Sequence, residues 1–466
     1  MSDPQPNLST ARNIKIGFFH LGSGMADVIT TGVWNRIMIA DLGFSATAVG
    51  LLVALRYFLA PLGVWAGRMS DTHVIGGYRR LFWVWLGRGV MAVSIVVLGA
   101  ITAHLARGNP ADVLTWGIIT LSLLLFSLGY AFSGSTFLAL IYDRAPENQR
   151  GRAVGIVWTF LLLGFTVGGV FFGLLLPASD AHPEGTIGAL KFTPETIFNL
   201  FLIGALVMGG LWFFSVLGEE RRNAAGGSRQ IDREQPSSLK ADLKLAWSER
   251  QTRFFFWYLA LSMLFAFTQD LILEPFAADV FGMPASTTSR FAAYWGSMAI
   301  LGTVVFLILS RRVKWLTNTV MNYLGVGILV GTFALLALSS LAEIRPLVTP
   351  ALILLGIGLG IWNVGTLGLM MDMSPFGKAG TFLGFWTLVV TFSRGGGVAG
   401  GGILRDLGLQ LSGSLPIAYG AAFAIGALGL LVALYALSQV NVRSYKATHQ
   451  VGETRDTAKI LAGAMD

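Results

Sequence analysis

Cysteine is absent from the 466 residues. A disulfide framework, a thiolate nucleophile and a Cys-ligated zinc or iron–sulfur centre are thereby excluded. Charge is scarce as well: Asp, Glu, Lys and Arg make up 12% of the chain, about half the share of a soluble domain. That scarcity, beside so much apolar sequence, excludes both a soluble globular fold and a disordered chain. The five histidines, His20, His73, His104, His182 and His449, are too scattered for a metal-ligand set. There is no Walker-type glycine–lysine loop, no HExxH pair and no G-x-S-x-G elbow. These absences remove nucleotide hydrolysis, zinc proteolysis and serine hydrolysis. The chain reads as a non-enzyme with no nucleotide and no metal held by protein ligands alone. The first dozen residues are polar and the apolar run behind them is too long for an h-region, so no cleavable signal peptide is expected.

What is present is apolar residue, 54% of the chain. A spanning helix takes about 20 mostly apolar residues, so twelve would take about 240, close to that share. Apolar runs between charged or turn-rich breaks predict an all-α integral membrane protein with twelve transmembrane helices. The first six lie near 13–40, 46–67, 81–104, 112–141, 152–177 and 196–217. The second six lie near 252–280, 288–310, 317–341, 347–372, 381–404 and 416–439. The formal charge is +8, and its placement explains it. The N-terminus, the even-numbered loops and the tail carry 24 of the 33 Lys and Arg. The odd-numbered loops carry five, Arg107, Lys191, Arg290, Arg345 and Arg405, and the spans four. Such an excess marks the cytoplasmic side. Both termini are therefore expected in the cytoplasm, and the charge reports topology, with no nucleic acid as partner. The longest polar break divides the chain into a six-helix bundle (1–217), a linker (218–251), a second bundle (252–440) and a tail (441–466). The linker mixes charge with Gly, Ser and Pro and reads as flexible, with one interfacial helix at Leu239–Trp247.

The two bundles repeat. At an offset of 229, Asp143 matches Asp372, Pro146 matches Pro375, Gly151 matches Gly380, Gly155 matches Gly384 and Gly129 matches Gly358. At an offset of 238, Asp41 matches Asp279 at the ends of helices 1 and 7. Two pseudo-symmetric six-helix halves related along the membrane normal describe the major facilitator fold. After helix 2, Gly67, Asp71, Arg79 and Arg80 partly match the Gly-xxx-Asp…Arg-Arg signature of that superfamily, with THVIGGY intervening. An acid at a helix end with two cations suits either a structural clamp or a cytoplasmic gate. Helices 5 and 11 are glycine-rich, at Gly164, Gly168, Gly169 and Gly173, and at Gly395–Gly397 and Gly400–Gly402. Small residues at spacing four let backbones approach closely, and they also leave smooth faces for a flat ligand or a partner helix. Helix 5 lacks the Gly-Pro pair of drug/proton antiporters.

Ionisable groups inside spans are costly and are functional candidates by default. They are Asp27, Arg36, Arg56, Arg88, Asp270, Glu274 and Arg394. Four positive and three negative charges permit near-complete pairing. At the offset of 238, Arg36 matches Glu274, which predicts an ion pair toward the outer side of the interface, as clamp or gate. Asp27 and Asp270 are either proton-coupling carboxylates or partners of Arg56, Arg88 and Arg394, with pairing the favoured reading.

Several segments together resemble one branch of the superfamily. They are Trp34-Asn35-Arg36-Ile37-Met38-Ile39, Arg68-Met69-Ser70-Asp71-Thr72-His73 and Gly77-Tyr78-Arg79-Arg80. The chain is similar to the PucC/LhaA family, the bacteriochlorophyll-delivery branch of phototrophic bacteria. The resemblance runs through most of the helices and is strongest from 33 to 85. It implies an assembly factor that delivers bacteriochlorophyll or chlorophyll to light-harvesting antenna polypeptides, or shields those helices, in the bacterial inner or intracytoplasmic photosynthetic membrane. The implied partners are antenna polypeptides, reaction-centre subunits, pigment-synthesis or membrane-insertion machinery, and membrane lipids. A large planar macrocycle needs few polar contacts, which suits the sparse polar inventory. His20, beside Phe18, Phe19 and Gly22, is a packing residue by default and an axial ligand for chlorin magnesium as the sharper reading. Asn199 and Asn363 are weaker candidates for that ligand, and Trp362 and Trp386 for flat contact. The alternatives are a secondary transporter of a small solute, which needs a polar central cavity, and a pigment-free chaperone of antenna helices.

Overall fold

The computed structural model describes residues 8–146, 149–177, 193–220, 249–374, 379–442 and 445. Among them the chain is helical apart from turns and one isolated bridge between Ile75 and Tyr78. In lipid a backbone must satisfy its own hydrogen bonds, so helices are the form such a sequence takes. The first half comprises α1 (10–41), α2 (Ala46–Thr72), α3 (Leu81–Ala106), α4 (Val113–Arg144), α5 (Arg150–Leu175) and α6 (Pro194–Val216). The second comprises α7 (Arg250–Phe281), α8 (Ala285–Arg312), α9 (Asn318–Leu341), α10 (Arg345–Asp372), α11 (Ala379–Ser412) and α12 (Leu415–Ser438). Ten of the twelve are long and apolar enough to cross a membrane by length and composition. The other two are α1, which carries charge in its middle, and α11, which glycine and charge dilute. Side chains cap several starts: Asp112 accepts from the Thr115 amide at 2.8 Å, and Thr317 from the Val320 amide at 3.3 Å. Asp112 lies just outside its span, and the Thr115 backbone donor holds its carboxyl below the usual range.

The halves are built alike. α1 packs on α5 and α6, and α3 on α4 and α6; in the second half α9 packs on α10 and α12, and α7 on α11 and α12. Across the interface α2 lies against α11 and α5 against α8. This is the major facilitator architecture. Outward faces carry large apolar side chains such as Leu206, Phe214, Leu428 and Val432, an arrangement that lipid stabilises. The glycines are close-contact points. A Cβ on Gly164 would enter the α1 backbone at the Leu21 carbonyl, and one on Gly397 or Gly401 would enter α7 at the Leu264 or Thr268 carbonyl. The stripes therefore serve helix packing.

Observed ends fall within a few residues of those read from sequence, with one correction. The eleventh helix was expected to stop at 404, where Arg405 and Asp406 read as a loop. Instead α11 continues to Ser412, because both charges are used inside the protein. Arg405 pairs with Asp279 at 3.1 Å. Asp406 accepts from the Ser45 hydroxyl at 2.6 Å and the Thr47 amide at 2.8 Å, closing the start of α2 from the other half. Leu239–Trp247, most of the linker, Pro375, Lys378 and nearly all of the tail lie outside the described residues.

Candidate functional site

α1 is not a regular helix. Two π-helical segments, Ile29–Val33 and Ile37–Asp41, flank Trp34–Arg36. α7 breaks between Arg250–Ala266 and Gln269–Phe281. The irregularities begin at Ile29 and Phe267, positions that the offset of 238 relates. Interrupted helices at matching positions of two repeats are where such folds keep polar groups at depth.

Four of the intramembrane charges meet there. Asp27 of α1 accepts from Arg56 of α2 at 2.6 Å, both buried. Asp270 of α7 accepts from Arg394 of α11 at 3.1 Å and from the Gln269 side-chain Nε2 at 2.6 Å. Tyr57 joins the two pairs: its hydroxyl accepts from Arg56 at 2.5 Å, and Arg394 stands over its ring at 5.3 Å. Arg394 also stacks on Phe267 at 4.1 Å. Each half thus pairs a mid-membrane acid with a cation of its own, and the Tyr57 ring reaches across the seam. Nothing in the sequence singled out Tyr57.

Nearer the end opposite the termini, Arg36 has a different partner from the one expected. It pairs with Asp41 at 3.1 Å and donates to the Met283 carbonyl of the other half at 3.0 Å. Glu274 turns its carboxylate toward Gly32. The reason lies in the second π segment. An i to i+5 repeat brings residue 41 over residue 36, so the nearest acid on the same rod takes the guanidinium first. Repeat symmetry cannot foresee a π turn. Asn35 adds a cross-half bond, donating to the Leu271 carbonyl at 2.6 Å. With the Asp406 cap, these described cross-half bonds all lie at this one end.

At the end of the termini, Arg80 pairs with Asp71 at 2.5 Å and Asp143 at 3.1 Å, and donates to the Ser70 hydroxyl at 2.6 Å. Arg79 reaches Asp143 at 2.7 Å. Glu220 accepts from the amides of Arg79, Arg80 and Leu81 and so caps α3. Buried Glu219 gathers Arg12, Lys15 and Arg144. These contacts join α2, α3, α4 and the end of α6 within one half. Glu219 and Glu220 were missed because they open what reads as a linker.

His20 sits in an aromatic nest. Its ring lies 5.0 Å from Phe137 of α4 and 5.7 Å from Trp158 of α5, beside Phe19. Its Nδ1 is buried without a hydrogen-bond partner. Trp158 is half exposed, so one aromatic layer separates the imidazole from the protein surface. The other pigment-contact candidates do not gather around it. Trp362 is in the second half, donating from its indole to Tyr258 at 3.0 Å. That tyrosine donates to Asn322 at 2.6 Å, and Thr366 donates to the same Asn322 oxygen at 2.8 Å. Trp386 is in α11 with its indole nitrogen unpartnered. Asn363 is exposed on α10, and Asn199 is exposed near the start of α6, at the opposite end of the bundle from His20. Among the described residues, no three His, Asp or Glu side chains converge as a metal site. An imidazole acting alone fits a metal that brings its own macrocycle.

Among the described residues, Arg88 of α3 is the intramembrane cation left outside the Asp27–Arg56, Asp270–Arg394 and Asp41–Arg36 pairs. It is buried against the rings of Phe19 at 4.3 Å, Trp212 at 4.9 Å and Tyr130 at 5.5 Å.

A family model described as "PUCC protein" matches residues 33–445. "Protein PucC" of Rhodovulum sulfidophilum is 28% identical over 86% of this chain and 86% of its own. A Rhodobacter capsulatus protein called "Bacteriochlorophyll synthase 44.5 kDa chain" is 29% identical over 90% of this chain and 92% of its own. Among solved structures, an inward-facing bacterial homologue of the human lysosomal transporter Spinster superposes with a TM-score of 0.68 at 15% identity, covering 96% of this chain and 98% of that one. That likeness carries the fold alone.

Proposed function

The chain belongs to the PUCC protein family, and from that premise we propose that it is an assembly factor that binds bacteriochlorophyll or chlorophyll and delivers it to antenna polypeptides. The observation that carries the reading is His20. An imidazole with an unpartnered Nδ1, walled by Phe19, Phe137 and Trp158 one aromatic layer from the surface, is suited to ligate the magnesium of a chlorin. The rings supply flat apolar contact for the macrocycle. The work is carriage without bond chemistry, so the protein is no enzyme. Its setting would be the bacterial inner or intracytoplasmic membrane, with both termini cytoplasmic and antenna and reaction-centre polypeptides as partners.

A small-solute transporter would need ionisable groups facing a shared aqueous cavity. The internal pairing of Asp27 with Arg56 and Asp270 with Arg394 favours a carrier over such a transporter. The test is complementation. In a phototrophic host lacking its own family member, the wild-type chain restores antenna absorption and His20→Leu at equal membrane abundance does not. Full restoration by His20→Leu would remove the assigned ligand.

A further inference from the structure

The two halves treat their basic loops differently. Between α2 and α3, Arg79 and Arg80 are held by Asp71 and Asp143. Between α8 and α9 the basic loop reads Arg311-Arg312-Val313-Lys314-Trp315, and the sequence has no acid between Asp279 and Glu343. The acid that matches Asp143 at the offset of 229 is Asp372, and the Asn318 side chain donates to it at 2.8 Å. Arg311, Arg312 and Lys314 are exposed, with no ion pair or side-chain hydrogen bond among the described residues.

An apolar surface leads into these cations. Of the ten spans long and apolar enough to cross a membrane, α8 is the least covered by protein. Leu301, Val305 and Ile308 are all exposed. Their spacing of four and three sets them on one face of the helix, and Arg312 continues it. Beyond the helix, Leu316 is buried with Met321 and Ile361, which pins the loop. Trp315 beside it is 66% exposed. An exposed indole among cations at the end of a span belongs at the headgroup level of a bilayer. The Lys/Arg bias that sets topology needs only a count of charges. It requires neither that the cations stay unpaired nor that an apolar stripe run up to them.

We propose that the α8–α9 loop binds an anionic phospholipid. Arg311, Arg312 and Lys314 surround its phosphate, Trp315 lies at the headgroup level, and an acyl chain runs along Leu301, Val305 and Ile308. The stripe favours a lipid over an acidic polypeptide, which would use the cations and leave the apolar face bare. Every group in the site is already at the surface, so binding needs no rearrangement. The site is in the half that lacks His20, and it stands independently of the pigment reading.

The experiment uses the full-length protein in phosphatidylcholine vesicles. These carry a small share of brominated phosphatidylglycerol or, at the same share, of brominated phosphatidylcholine. Bromine quenches an indole that it touches, and the Trp315 signal is the difference between the wild type and Trp315→Phe. Three cations beside one anionic headgroup predict a preference for phosphatidylglycerol of about 10-fold or more. Arg311→Gln/Arg312→Gln should remove most of it. Arg68→Gln/Arg253→Gln, which takes away two other exposed cations, should keep it. Equal quenching by the two lipids would overturn the site, as would a preference that survives Arg311→Gln/Arg312→Gln or falls equally in the control. If polyglutamate displaces the brominated phosphatidylglycerol and unlabelled phosphatidylglycerol does not, the surface takes an acidic polypeptide and the lipid assignment fails. Should the double variant not fold, the wild-type ratio between the two lipids still decides the matter.

Discussion

At the scale of single residues, the buried charges make sharp predictions. Asp27 and Arg56 are both buried and bonded at 2.6 Å. Asp27→Ala leaves a lone guanidinium and should destabilise the protein by about 3–5 kcal/mol, whereas Asp27→Leu with Arg56→Met should recover most of that loss. Thermal unfolding in detergent at fixed pH measures both. A second contrast separates the observed partner of Arg36 from the expected one. Asp41→Ala should cost about 3 kcal/mol, and Glu274→Gln should change stability by less than about 1 kcal/mol. The reverse order would restore the Arg36–Glu274 pair. The sequence already named the charges that form these pairs, because an ionisable residue within or at the end of an apolar run is visible without coordinates. It could not say who pairs with whom. That depends on the π segment that brings Asp41 to Arg36, and on a tyrosine, Tyr57, whose identity carries no signal.

At the scale of elements, helix packing rests on backbone contact. Gly164 faces the Leu21 carbonyl of α1 so closely that any side chain must part the helices. Gly164→Leu should therefore fail to yield folded protein. Gly134 has nothing within reach of an added Cβ, and Gly134→Ala should fold normally, as size-exclusion profiles of the two variants would show. The twelve spans were legible from apolar run lengths, which follow from the cost of polar groups in lipid. The end of α11 was not legible, because Arg405 and Asp406 look like a loop until Asp279 and the α2 start are beside them. The paired irregularities of α1 and α7 were also hidden, as a π turn leaves no mark on hydrophobic period.

At the scale of the whole molecule, the halves are tied at the end opposite the termini by Asn35, Arg36 and Asp406. Closer to the middle of the spans, Phe165 of α5 meets Trp295 of α8 across the same seam, with ring centroids 5.0 Å apart. Because the chain has no cysteine, a Phe165→Cys/Trp295→Cys pair bridged by a short dithiol reagent tests whether these ties must open. A carrier loaded from lipid should bind chlorin equally well with and without the bridge. A transporter that alternates its openings should lose uptake when bridged. The central claim, that the protein carries a chlorin on His20, is tested most directly by one absorption spectrum. The full-length protein is purified in mild detergent from a phototrophic host, beside His20→Leu prepared identically. The account predicts a stoichiometric red-shifted chlorin band in the wild type that weakens in His20→Leu. A wild-type preparation with no chlorin band would contradict it.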